Sequence, residues 1–131
     1  AQNRMDDARA LLKDSLARNP GNYPITHTLA RTEIADSNGA AAAEYLKQLT
    51  RQFPAQEHLW LKLAEAEGMA RNIVGVHRAR AEYDVLMGDL ESAQRQLRQA
   101  QEKLPAGAPQ RQVVTERLAE ITSRLHARAN S

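Results

Sequence analysis

Ala8, Leu12, Ser15 and Pro20 recur 34 residues later as Ala42, Leu46, Leu49 and Pro54. A register kept this closely means that one structural unit is stacked on a copy of itself. Within each set the apolar and small residues are spaced by four and three, one face of an α-helix, and the proline five residues on ends it. A second helical pattern keeps the same period: Thr26-x2-Leu29-Ala30 becomes Trp60-x2-Leu63-Ala64. Each unit therefore holds two helices. A two-helix unit cannot bury its own apolar side, so successive units must pack on one another as a solenoid. In that arrangement the small residues Ala8, Ala42 and Ala93 let helices approach, and Leu12, Leu46 and Leu97 fill the space between them.

The rest of the composition agrees with a helical stack. One Trp, one Phe and three Tyr in 131 residues leave the core to Leu and Ala, a mixture that favours packed helices over a sheet. Eighteen basic residues against sixteen acidic ones give a net charge of +2, too little to imply a polyanionic partner. Without Cys there is neither a disulfide framework nor a thiolate metal site. No run of 18 apolar residues is present, so no membrane-spanning helix is expected.

Pro, Gly and Asn divide the chain into seven expected helices. They run over Met5–Arg18, Pro24–Ser37, Ala40–Gln52, Ala55–Arg71, Ile73–Met87, a stretch from the cap Asp89 to Leu104, and Gln110–Ala127. The 34-residue register breaks once. The next Ala/Leu/Ala/Pro set, at Ala93, Leu97, Ala100 and Pro105, lies 51 residues after the set at 42, one and a half periods. Half a period is one helix, so the helix from Ile73 closes one unit and opens the next. In the last helix Val114, Leu118, Ile121 and Leu125 form a single apolar stripe, with a Glu120–Arg124 ion pair expected beside it.

Taken together, these spacings resemble the tetratricopeptide repeat (TPR), whose period is 34 residues and whose second helix reads Ala-x3-Leu-x2-small-x4-Pro. The resemblance implies an all-α, right-handed α-solenoid of about seven antiparallel helices. Residues 1–131 would form a single TPR-like domain that binds protein or peptide. Because Ala1-Gln2-Asn3-Arg4-Met5 already leads into the second helix of a repeat, the chain is expected to be a C-terminal fragment of a longer one.

In TPR register His27 and His58 fall at positions that usually line the binding groove. Arg31, Lys62, Glu65 and Arg78 point the same way. His27, Arg31, His58, Lys62 and Arg78 are therefore the candidate groove contacts, suited to a carboxylate or an acidic segment through charge-assisted hydrogen bonds. The Lys/Asn carboxylate clamp of chaperone-binding TPRs is not matched here. No HExxH occurs, and no two of His27, His58, His77 and His126 are spaced i, i+3 or i, i+4, so catalytic and metal-ligating residues are assigned to no position. The Gln/Arg-rich face of the sixth helix lacks the aromatics that a nucleic-acid surface would need.

A more specific likeness lies in Val76-His77-Arg78-Ala79-Arg80-Ala81-Glu82-Tyr83, followed by Gly88-Asp89, Ala93, Gln96-Leu97 and Ala100. It resembles the C-terminal TPR domain of bacterial periplasmic zinc metalloproteases of the outer-membrane β-barrel assembly-enhancing type. Val76, Arg80 and Asp84 depart from the pattern. The likeness implies a non-catalytic docking module of a periplasmic zinc metallopeptidase. It would pack on the parent's own protease domain and engage substrate or the outer-membrane β-barrel assembly machinery. Zinc and the HExxH motif would belong to that catalytic domain, with no cofactor in this chain. The alternative is a free-standing TPR adaptor or scaffold with no linked enzyme.

Overall fold

Three of the turns in this chain are built by the same few atoms. The computed structural model describes residues 2–130, and in it seven helices follow one another: α1 (Gln2–Arg18), α2 (Tyr23–Ala35), α3 (Gly39–Gln52), α4 (Glu57–Met69), α5 (Ile73–Leu86), α6 (Leu90–Glu102) and α7 (Pro109–Ala129). At the ends of α2, α4 and α5 the chain turns through a left-handed residue: Ser37 (φ 58°), Arg71 (φ 60°) and Gly88 (φ 80°). In each turn the next amide reaches back five residues, Asn38 to the Glu33 carbonyl (2.8 Å), Asn72 to Glu67 (2.9 Å) and Asp89 to Asp84 (2.8 Å). This Schellman arrangement satisfies the orphan carbonyls of a helix end. Ser37 and Arg71 hold a conformation that costs about 1–2 kcal/mol in any residue with a β-carbon. They stand 34 residues apart, and Gly88 follows after half a period.

A side chain starts α2, α5 and α6, whereas Asn38 makes no such bond at the start of α3. Asn22 accepts a hydrogen bond from the Ile25 amide (3.0 Å), Asn72 from Gly75 (3.2 Å) and Asp89 from Ser92 (3.0 Å), each replacing a missing partner of the first turn. Pro24 and Pro109 sit in first turns, where a proline needs no hydrogen bond. Connections this short hold neighbouring helices antiparallel. Each helix packs chiefly on the next in sequence, as a solenoid requires.

The core is indeed Leu and Ala, in two parts. Ala30, Ala42, Ala43, Leu46, Leu49, Leu59, Leu63, Ala64, Ala66 and Ala79 form the first, across α2–α5. Ala81, Leu90, Ala93, Leu97, Ala100, Leu104, Val114 and Ile121 form the second, across α5–α7. Helix α5 buries only Ala79 and Ala81, about 200° apart around its axis, so one alanine faces each core. This is the helix inferred from the break in the register to serve two repeats. It does so with the smallest side chains that can be buried on both sides.

Two expectations need correction. Ala8, read as a close-packing position, is exposed, and Leu12 is only half-buried. Helix α1 packs chiefly on α2, and Ala8 and Leu11 (70% exposed) lie on its other flank. The residue Glu120 pairs with is Arg117 (2.7 Å), rather than Arg124. Arg117 is held there because the same guanidinium also donates two bonds to Glu82 of α5, at 2.9 and 2.8 Å. The stripe on α7 falls as read, with Val114 and Ile121 buried and Leu118 and Leu125 packed against the second core.

Candidate protein-binding surfaces

Alternation of helices gives the stack two sides, and polar residues collect differently on each. On α2 and α4, His27, Arg31, His58 and Lys62 come together. Partial burial pushes the His27 imidazole below its ordinary pKa, and the charges of Arg31, His58 and Lys62 push it the same way. The burial has a visible source, because Tyr23 stacks on the His27 ring with centroids 5.5 Å apart. Phe53 in turn meets Tyr23 edge-on at 5.1 Å. Arg31, His58 and Lys62 are exposed. Lys62 lies 3.6 Å from Glu65, an exposed pair that leaves its charge largely available.

Arg78 does not join this group. It belongs to a cavity of about 480 Å3, lined by Lys47, Thr50 and Arg51 of α3, Gly75, Arg78, Ala79 and Glu82 of α5, and Val113 and Arg117 of α7. Trp60, Leu63 and Glu67 of α4 and Leu97 of α6 complete it. Trp60, Leu63 and Glu67 are spaced i, i+3, i+7 and share one stripe of α4. His58, Lys62 and Glu65 form another, about 160–200° away. The two groups of polar residues thus occupy opposite sides of α4. The spacing predicts this for residues on one helix, but not for Arg78, whose side of α5 depends on how the odd-numbered helices are arranged.

Apart from Arg78, the residues of this cavity were not read from sequence as candidate site residues, though one signal was present. In the stripes Thr26/Leu29/Glu33 and Trp60/Leu63/Glu67 a glutamate takes an inward position of an otherwise apolar pattern. Both are buried, Glu33 to 3% exposure and Glu67 to 5%. Glu33 is met by Arg9 of α1, which also pairs with Asp36 (2.8 Å) and Asp6 (2.8 Å). This is the principal polar tie between α1 and α2. Among the described residues no cation bonds Glu67, which accepts instead from Asn72 Nδ2 at 2.9 Å. Gly75 leaves room for its carboxylate, which a side chain there would overlap.

Burial pushes the Glu67 carboxyl above its ordinary pKa, against the opposing pull of Lys47, Arg78 and Asn72, with Glu44 adding to the rise. A carboxyl with a raised folded pKa binds its proton more tightly when folded. Its contribution to stability is therefore full below the ordinary carboxylate pKa and is lost as pH rises through the folded value. Glu67→Gln is expected to remove that dependence: thermal midpoints followed from pH 4 to 8 should fall less with rising pH than in the parent. An unchanged slope would assign it to another group.

His77 bonds to Gln96 Oε1 (2.7 Å) and ties α5 to α6. Among the described residues no three of His, Asp or Glu converge to hold a metal ion, and no helix is long and apolar enough to cross a membrane.

The repeat that organises these surfaces has a counterpart among known families. A family model described as tetratricopeptide repeat matches residues 1–66. The chain belongs to the tetratricopeptide-repeat family. No curated protein matches it. The TPR match covers α1 to most of α4, the part in which the 34-residue register is unbroken, and stops before α5, where half a period is added. The TPR stack is a scaffold for protein–protein interaction, and both of its sides here carry charged, partly apolar surface.

Proposed function

We propose that this chain is the docking module of a larger protein and that the side formed by α2 and α4 holds an acidic segment of its partner. The observation that carries the reading is the convergence of His27, Arg31, His58 and Lys62 on one side of two successive repeats. Four basic or protonatable groups with so little opposing charge favour carboxylates. An acidic partner would raise the proton affinity of His27, so binding should strengthen as pH falls from 8 to 6.

The test is charge reversal. Arg31→Glu with Lys62→Glu should weaken capture of the partner by about tenfold or more, while helicity by circular dichroism is unchanged, since both side chains are exposed. Capture at the parent level would overturn the assignment.

The larger protein is proposed to be a periplasmic zinc metallopeptidase, on the strength of Val76–Tyr83 and the Gly88-Asp89, Gln96-Leu97 pattern that follows. The module then holds substrate, or the outer-membrane β-barrel assembly machinery, near the protease domain and raises its effective concentration there. Reading the genome upstream of Ala1 tests this directly. A signal peptide and HExxH are expected; further repeats without that motif would make the chain part of an adaptor.

A further inference from the structure

We propose that the cavity shared by α3, α5 and α7 is a second peptide site, taking an extended acidic segment that carries a bulky apolar side chain. It lies on the side of the stack away from His27 and Lys62 and is independent of the reading above. Its shape argues for a chain rather than a small molecule. Side chains of three successive odd-numbered helices, α3, α5 and α7, line one trough, so an occupant touches several repeats at once, as an extended segment does.

Its charge argues for the acidic partner. Lys47, Arg51, Arg78 and Arg117 face it against Glu67 and Glu82. The Arg117–Glu82 pair is mutually satisfied at 2.8 Å, and Lys47 lies 3.2 Å from Glu44. Among the described residues Arg51 and Arg78 make no ion pair, although Arg78 is half-buried and its charge is felt by Glu67. Two guanidiniums lining one cavity, from α3 and α5, suit carboxylates of one peptide strand.

Between them the lining is apolar. Leu63 and Leu97 are buried beneath, Trp60 is half-buried and Val113 is 50% exposed. The indole of Trp60 is fixed because its Nε1 donates to the Pro54 carbonyl at 2.9 Å, which presents the ring as a wall for an aromatic or aliphatic side chain. Charge at the walls and an ordered aromatic between them together select acidic segments that contain a large apolar residue. A wholly acidic chain meets only half of these features.

Trp60 is the chain's only tryptophan, so tryptophan fluorescence comes from a side chain of this cavity. The probes are three nine-residue peptides: Glu and Gly around a central Phe, the same with Lys for Glu, and the Glu form with Ser for Phe. The Glu/Phe peptide is expected to give a saturable change in Trp60 emission, with the Lys/Phe and Glu/Ser forms at least about tenfold weaker. Arg51→Gln with Arg78→Gln should weaken the Glu/Phe peptide by about tenfold, with helicity retained. Arg31→Glu with Lys62→Glu should leave it unchanged, which separates this site from the α2/α4 side. No saturable change, equal binding of the Lys/Phe form, or full affinity in the Arg51/Arg78 variant would each overturn the proposal.

Discussion

Leu46→Ala should lower the unfolding free energy by about 2–5 kcal/mol, a loss typical of a buried leucine in the first core. Leu46 is 1% exposed and shares one core cluster with Ala30, Leu49, Leu59 and Leu63, side chains from three helices that cannot all collapse into the space it leaves. Leu97, 2% exposed, should cost a similar amount in the second core. The two losses should differ in location. In a stack whose helices meet chiefly their sequence neighbours, destabilisation stays near its source. Hydrogen exchange should therefore quicken mainly in α2–α4 for Leu46→Ala and in α5–α7 for Leu97→Ala, with α5 responding to both. Uniform acceleration along the chain would mean that the alanine contacts of α5 join the two cores into one cooperative unit.

Gly39→Ala is expected to cost about 1–3 kcal/mol or more, although alanine is the better helix former. A β-carbon at Gly39 would stand 2.6 Å from the Ala70 amide nitrogen and the Met69 Cβ and 2.7 Å from the Ala66 carbonyl. Two of these atoms are backbone at the end of α4, so relief requires moving the start of α3 away from it. Urea unfolding of Gly39→Ala beside Gly88→Ala separates the causes. Gly88 has open space around its missing side chain but a φ of 80°, so its substitution reports backbone strain without crowding. A Gly39→Ala midpoint at or above the parent's would show that α3 and α4 can part at no cost.

The repeat was legible because it is written in small and apolar residues whose environment is local. Ala42, Leu46 and Leu49 need only a helix beside them, and a 34-residue period supplies one. The extra half-period before Ala93 was enough to place α5 and its double duty. Asn22, Asn72 and Asp89 start helices through bonds to amides three residues away, so their positions follow from sequence alone. Ala8 carried the same signature as Ala42, yet it is exposed, because the signature records what a position tolerates and not which neighbour it has. Glu120 likewise had Arg124 and Arg117 within reach on one helix. The choice of Arg117 follows from Glu82 on α5, which no local rule brings near.

The surfaces divide the same way. Residues of one helix, such as His58 and Lys62, share a side by spacing alone, and the 34-residue period places His27 and Arg31 beside them. Arg78 has no such constraint. Its side of the stack depends on how α5 is rotated between two cores, and it stands with Arg51 and Arg117 opposite the residues with which spacing had grouped it. Periodicity is a property of neighbours along the chain, so it sufficed for the helices, the TPR stack and the α2/α4 side. The cavity of Trp60, Glu67 and Arg78 joins five helices, and its existence rests on angles and separations between them that packing alone fixes.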